Sequence, residues 1–176
     1  MNFLPFDSED IKTVGEAHDI AEERITDFYK FSLGQWKRHK YDVKTLSFLS
    51  REEITSHAFA LLNRCSHVTN GFESKTKERD FYLICLQDHH IRRALNRDSN
   101  LKLLPILVYI FIHELIHIVR FCNFSQRFEV TAPGRNHEER VVHDTTYEVL
   151  KDLPLPNLDY VLASYEHHRI GDVAVL

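Results

Sequence analysis

The sequence predicts a mainly α, helix-rich single domain, residues 1–176, organised around one buried helix. Its α+β alternative carries one small sheet around residues 80–88. Three observations carry this reading. Glycine and proline number five each in 176 residues, too few for the turns of an all-β chain. Apolar residues recur at helical spacing in several stretches. The longest apolar run, Leu103 to Phe121 (LLPILVYIFIHELIHIVRF), is long enough for five turns of helix and holds His113, Glu114 and His117 inside it.

In chain order, residues 8–38 read as one long helix with a break near Gly34. Ser8 is its expected cap, Glu9 and Asp10 sit at the positive end of the dipole, and Ile11, Val14, Ala17, Ala21 and Ile25 form the apolar stripe. Residues 39–49 read as a connection. Ser50 and Glu53 have capping-box spacing, which predicts a second helix carrying Ile54, Ala58, Leu61, Leu62 and Cys65. Thr69-Asn70-Gly71 is a turn. Over 74–97 the stripe Phe81, Ile84, Asp88, Ile91 and Leu95 favours helix, while Phe81–Leu86 also fits a buried strand. Asp98-Ser99-Asn100 breaks the chain before the central helix, about 101–122, where Pro105 lies near the first turn. Residues 123–136 read as a loop with a turn at Ala132-Pro133-Gly134. Asn136 and Glu139 then open a helix to about Lys151, ahead of Pro154, and a short helix over 157–168 follows. The metal-site core is expected within 101–151.

Composition narrows the function. Apolar residues make up 43% and charged residues 27%, as in a soluble globular domain. A net charge of −4 argues against a dedicated nucleic-acid binder. The clusters Lys37-Arg38-His39-Lys40 and Arg92-Arg93 read as solvated faces. Cys65, Cys85 and Cys122 are odd in number and lack C-x-x-C spacing, so they are expected to be thiols in a reducing compartment, and a cytoplasmic location is expected. The first residues, MNFLPFDSEDIK, show no basic and apolar signal-peptide pattern. The run 103–121 carries three ionisable residues, so a buried helix is expected rather than a membrane span.

The central run contains H-E-x-x-H. Residues four apart on a helix are separated by about 40° around the axis and about one turn along it, so His113 and His117 share a face. Two imidazoles so placed can bind one metal ion, with Glu114 in reach of its water. Buried without partners, three such groups would cost several kcal/mol, roughly; a metal partners all three. A third ligand is needed, and Glu129, His137, Glu138, Glu139 and His143 are the candidates. Glu139 and His143 are the better pair, because they share one side of the helix after Asn136. Three protein ligands leave a position for water, whereas four close the site. Twelve histidines support metal chemistry and also raise the frequency of chance H-x-x-x-H spacing.

The segment FIHELIHIV, Phe111 to Val119, resembles the zincin metallopeptidases. It is nearest to the gluzincin pattern, in which an E-x-x-x-D segment on a later helix supplies the third ligand. Here that segment reads Glu139-Arg140-Val141-Val142-His143, with His in place of Asp, and the resemblance covers residues 111–147. It implies His113 and His117 as ligands, Glu114 as general base and Glu139 as third ligand; the departure at position 143 leaves Glu139 and His143 both open. The expected function is a metal-dependent hydrolase, with zinc as cofactor (another divalent metal such as iron is the alternative) and a peptide or other small substrate as partner. Tyr147, Tyr165, His167 and Arg120 are candidate oxyanion donors. The alternative is a non-catalytic helical metal-binding protein with a closed His113/His117/Glu139/His143 site. A di-iron bundle variant reads Glu114-x-x-His117 as its E-x-x-H but lacks a second copy. An interaction module on the long first helix would leave the central motif unexplained.

Overall fold

The computed structural model describes residues 4–36, 40–67, 79–123, 132–165 and 171–175. Helix α1 spans Ser8–Tyr29, α2 Leu33–Trp36, α3 Asp88–Arg97, α4 Leu103–Cys122, α5 Ala132–Leu150 and α6 Leu158–Tyr165. Four strands, β1 (Tyr41–Lys44), β2 (Ala60–His67), β3 (Arg79–Leu86) and β4 (Gly171–Val175), form one sheet in the order β1-β3-β2-β4. The fold is helix-rich with one small sheet, and β3 occupies the region where that sheet was expected.

The central helix is α4. Sixteen of its residues are buried, so it has no solvent face and its apolar pattern is continuous rather than striped. It lies along α1 and also meets α5, α6, β2 and β4. Among the described residues it is the one helix long and apolar enough to cross a membrane, and 83% of that stretch is buried within the fold. Its role here is that of a core helix.

Helix α1 departs from the expected boundaries at both ends. Its cap is Asp7, not Ser8: Oδ1 accepts the amides of Glu9 and Asp10, and Asp10 returns a bond to the Asp7 amide. The helix stops at Lys30, which adopts the left-handed conformation at φ 55°, well before Gly34. Past that turn Phe31 packs on Tyr29 and Trp36, and the Trp36 indole donates to Thr26 Oγ1 at 2.7 Å. The turn folds these rings back onto the helix, which stabilises a break that no glycine or proline announces.

The largest departure lies at residues 50–67. The Ser50/Glu53 capping box forms, but it closes only the 3-10 turn Arg51–Glu53. The chain is then drawn out by Gln87, whose amide donates to Glu53 O and accepts from the Thr55 amide. Strand β2 follows where a helix was expected, antiparallel to β3 and parallel to β4. β3 replaces the first half of the helix favoured over 74–97, and α3 forms only the second half. Both misreadings have one cause. Leu62, Tyr82, Ile84 and Leu86 face the main core, while Leu61, Leu83 and Cys85 pack in a second cluster on the other side. Strands covered on both faces lose the period-two alternation that identifies them. The parallel pairing of β1 with β3 extends the sheet beyond the region around residues 80–88 where it was expected.

At the start of α3, Asp88 is completely buried and ties two distant segments to the helix. Its Oδ2 accepts the Phe6 amide at 2.9 Å and its Oδ1 the Leu46 amide at 3.1 Å. Asp88→Ala would leave two amides without partners, at about 1–3 kcal/mol each. We expect a loss of about 2–6 kcal/mol by that arithmetic, measurable as a lower urea midpoint at unchanged slope. The neighbouring His89 is 7% exposed. Burial, aided by the charges of His90 and Arg93, pushes its pKa down to about 4. An unfolded histidine titrates near 6.5, so between about 6.5 and 4 the unfolded chain holds a proton that the folded chain does not. His89 therefore lends stability that is complete above pH 6.5 and is lost as pH falls toward 4. The expected loss is about 2 kcal/mol at pH 5 relative to pH 8. Comparing urea midpoints of wild type and His89→Asn at the two pH values isolates this part of the slope.

Candidate metal centre

The site lies between α4 and α5, which run antiparallel. Two contacts pin α5 near its ends. Arg120 of α4 pairs with Glu138 through both nitrogens Nε and Nη2, and Arg24 of α1 donates to Val149 O at 2.6 Å. Between them Val142, Thr146 and Val149 are buried, so α5 presents a fixed face to α4. Its N-terminus lies earlier than expected. Ala132-Pro133-Gly134, read from sequence as a turn, is the first turn of the helix, where proline's missing amide is tolerated. Asn136 is thus inside the helix and is not its cap.

His113, Glu114 and His117 are buried to 1% exposure or less. The two imidazole rings meet edge to face with centroids 5.0 Å apart. The Glu139 side chain, 18% exposed, reaches across from α5: Oε2 lies 3.4 Å from His113 Nε2 and Oε1 lies 3.3 Å from His117 Nε2. One donor atom from each of the three lies within 4.8 Å of the others, close enough to hold one metal ion. The spacing itself is informative. A charge-assisted N–H···O bond is about 2.7–2.9 Å, whereas ligand atoms about 2.0–2.1 Å from a tetrahedral ion lie roughly 3.3–3.4 Å apart. None of the four imidazole nitrogens makes a hydrogen bond of normal geometry. The donor set therefore fits a metal better than it fits a hydrogen-bonded triad.

The electrostatics fit as well. Burial pushes the His113 pKa down to about 4 against the opposing Glu139 contact. Burial also opposes charge on His117, but the Glu139 contact and the charges of Glu139, Glu114 and Glu138 overcome it and raise the pKa. Burial likewise opposes charge on Glu139, and its two histidine contacts more than offset that, holding the carboxyl well below the usual range. A metal ion is held by neutral imidazoles and a carboxylate, so its binding competes with the proton that the Glu139 contact favours on His117.

The other sequence candidates are placed differently. His143 is not one of the three clustered donors. Its Nδ1 lies 3.0 Å from the Tyr109 hydroxyl, and its ring centroid is 4.9 Å from that of His113. Glu138 is engaged by Arg120, which also occupies the Arg120 guanidinium. His137 is exposed, and Glu129 and His167 lie outside the described residues. Tyr147 is 49% exposed and lines a cleft of about 230 Å³ together with Tyr109, His143, Asp144 and Leu162. Tyr165 is half-buried, with its ring on Tyr109. Tyr109 itself was not among the sequence candidates. It stands four residues before His113, so the i, i+4 rule that paired His113 with His117 could have found it.

Fold and site together define a helix-rich protein with a small mixed sheet and a buried His/His/Glu group able to hold one metal ion. Compared with protein-family models, curated proteins and solved structures, the chain matches none.

Proposed function

We propose that the protein is a zinc-dependent hydrolase of zincin type that acts on peptides. The observation that carries this reading is the count of clustered donors. Among the described residues His113, His117 and Glu139 form a three-residue group from which His143 is absent, and three protein ligands leave a coordination position for water. Zinc bound there would supply a Lewis acid and bring the pKa of its water to about 7. Glu114, buried beside His113, would take the proton from the attacking water and pass it to the leaving amine. His113 and His117 would act as neutral imidazoles, and Glu139 would fix both while contributing the carboxylate. The Tyr109 hydroxyl would hold the His143 ring against His113, at the inner wall of the 230 Å³ cleft.

The resemblance over residues 111–147 supports the same reading. So does the presence of a sheet, whose outer strands among the described residues are β1 and β4, because zincin peptidases add an extended substrate to a sheet edge. A closed site with His143 as fourth ligand would instead make the protein a metal binder without a reaction. The test is hydrolysis of a mixed peptide library by zinc-loaded protein. Cleavage that is abolished by a chelator and restored by zinc is expected. A fully loaded protein that cleaves no member of the library contradicts the proposal.

A further inference from the structure

A second cleft, of about 420 Å³, is lined in part by Tyr165, whose ring also meets Tyr109. Its walls come from the segment before β2, from α3 and from the end of α6. Arg93 and Arg97, four residues apart on α3, both line it, with His57 and His90 beside them. Like charges four apart on a helix repel weakly, so an anion held between the two guanidiniums is favoured. Arg92 pairs with Asp7 and Asp10, but neither Arg93 nor Arg97 makes an ion pair or hydrogen bond among the described residues.

Among the described residues the one carboxylate that lines the cleft, Asp98, is already engaged. Its Oδ2 accepts the Tyr160 hydroxyl at 2.6 Å and its Oδ1 accepts the Asn100 amide at 3.0 Å. The Arg93 charge also acts on its neighbours: with burial as the larger cause, it helps hold His89 and His90 below the usual histidine range. His90 Nε2 donates to Thr55 O at 3.1 Å. The guanidiniums are therefore the groups left to bind a ligand. Phe59, Leu101 and Tyr165 also line the cleft and give it apolar surface, with the Phe59 and Tyr165 rings 5.5 Å apart, edge to face.

We infer that this cleft is a binding site for an oxyanion carried on an apolar body, with Arg93 and Arg97 gripping the anion and the Phe59–Tyr165 surface holding the body. Guanidinium forks match carboxylates and phosphates alike. The anion is thus either a phosphomonoester or the free carboxylate of a peptide or acylated amino acid. The site does not depend on the proposed hydrolysis, since its residues are separate from the three clustered donors.

The experiment is calorimetric titration of the full chain with phenyl phosphate and with N-benzoylglycine, using benzyl alcohol and N-benzoylglycinamide as uncharged controls. Binding of one or both anions, with neither control binding, is expected; which anion binds more tightly identifies the source. Each of Arg93→Gln and Arg97→Gln should weaken that binding about tenfold or more, as loss of a charged hydrogen-bonding partner does. Both side chains are exposed, so the variants should unfold at the wild-type urea midpoint. Absence of binding by both anions overturns the inference. So does binding that survives the double substitution, which would place the anion at the metal centre or elsewhere.

Discussion

Glu114→Gln should retain the metal and lower the proposed peptide hydrolysis by about 10²–10⁴-fold, the usual contribution of a positioned general base. Glutamine has the same shape, and Glu114 is completely buried within α4, so the helix and its two histidines should keep their positions. Glu114 is also not one of the clustered donors, so the ligand set is intact. What the substitution removes is the capacity to accept a proton. The change should appear in kcat with little change in KM, because the group acts on the reacting water and not on bound substrate. A variant as active as wild type would remove Glu114 from the mechanism.

Glu139→Ala should weaken metal binding by more than about 100-fold, above the 10- to 100-fold typical of groups that only orient a ligand. Among the described residues Glu139 is the one that bridges both imidazoles, at 3.4 and 3.3 Å. It is also the only contribution to the cluster from α5. His143→Ala should fall within the smaller range, since His143 meets Tyr109 and the His113 ring without joining the group. The order of the two effects, read from competition with a chromophoric chelator, decides between them. A larger loss for His143→Ala would make His143 the ligand and Glu139 its support.

The parts of this arrangement that follow helical spacing were legible in the sequence. Val14, Ala17, Ala21 and Ile25 are the buried stripe of α1, and His113, His117 and Glu139 lie on facing helix sides as the spacing of four requires. The parts that depend on tertiary contacts were not. Leu61 and Leu62 are buried on opposite faces of one strand, so their local pattern could not separate strand from helix. The turn that ends the Ser50 helix early is enforced by Gln87, 34 residues from its acceptor Glu53 O. Arg92 and Arg93 read as one solvated pair, yet Arg92 is bound to the N-terminal cap and Arg93 lines a cleft. That difference comes from where α1 and α6 dock and has no local signature. At the metal group, sequence left Glu139 and His143 equivalent. Among the described residues Glu139 joins the clustered donors, while His143 Nδ1 lies 3.0 Å from the Tyr109 hydroxyl.

The central claim is that one metal ion sits among His113, His117 and Glu139. Its most direct test is metal analysis of the purified protein after exposure to zinc and to iron, followed by X-ray absorption at the bound metal's edge. The account predicts close to one ion per chain, with nitrogen and oxygen neighbours at about 2.0–2.2 Å. A protein that remains folded and metal-free after both exposures would contradict it.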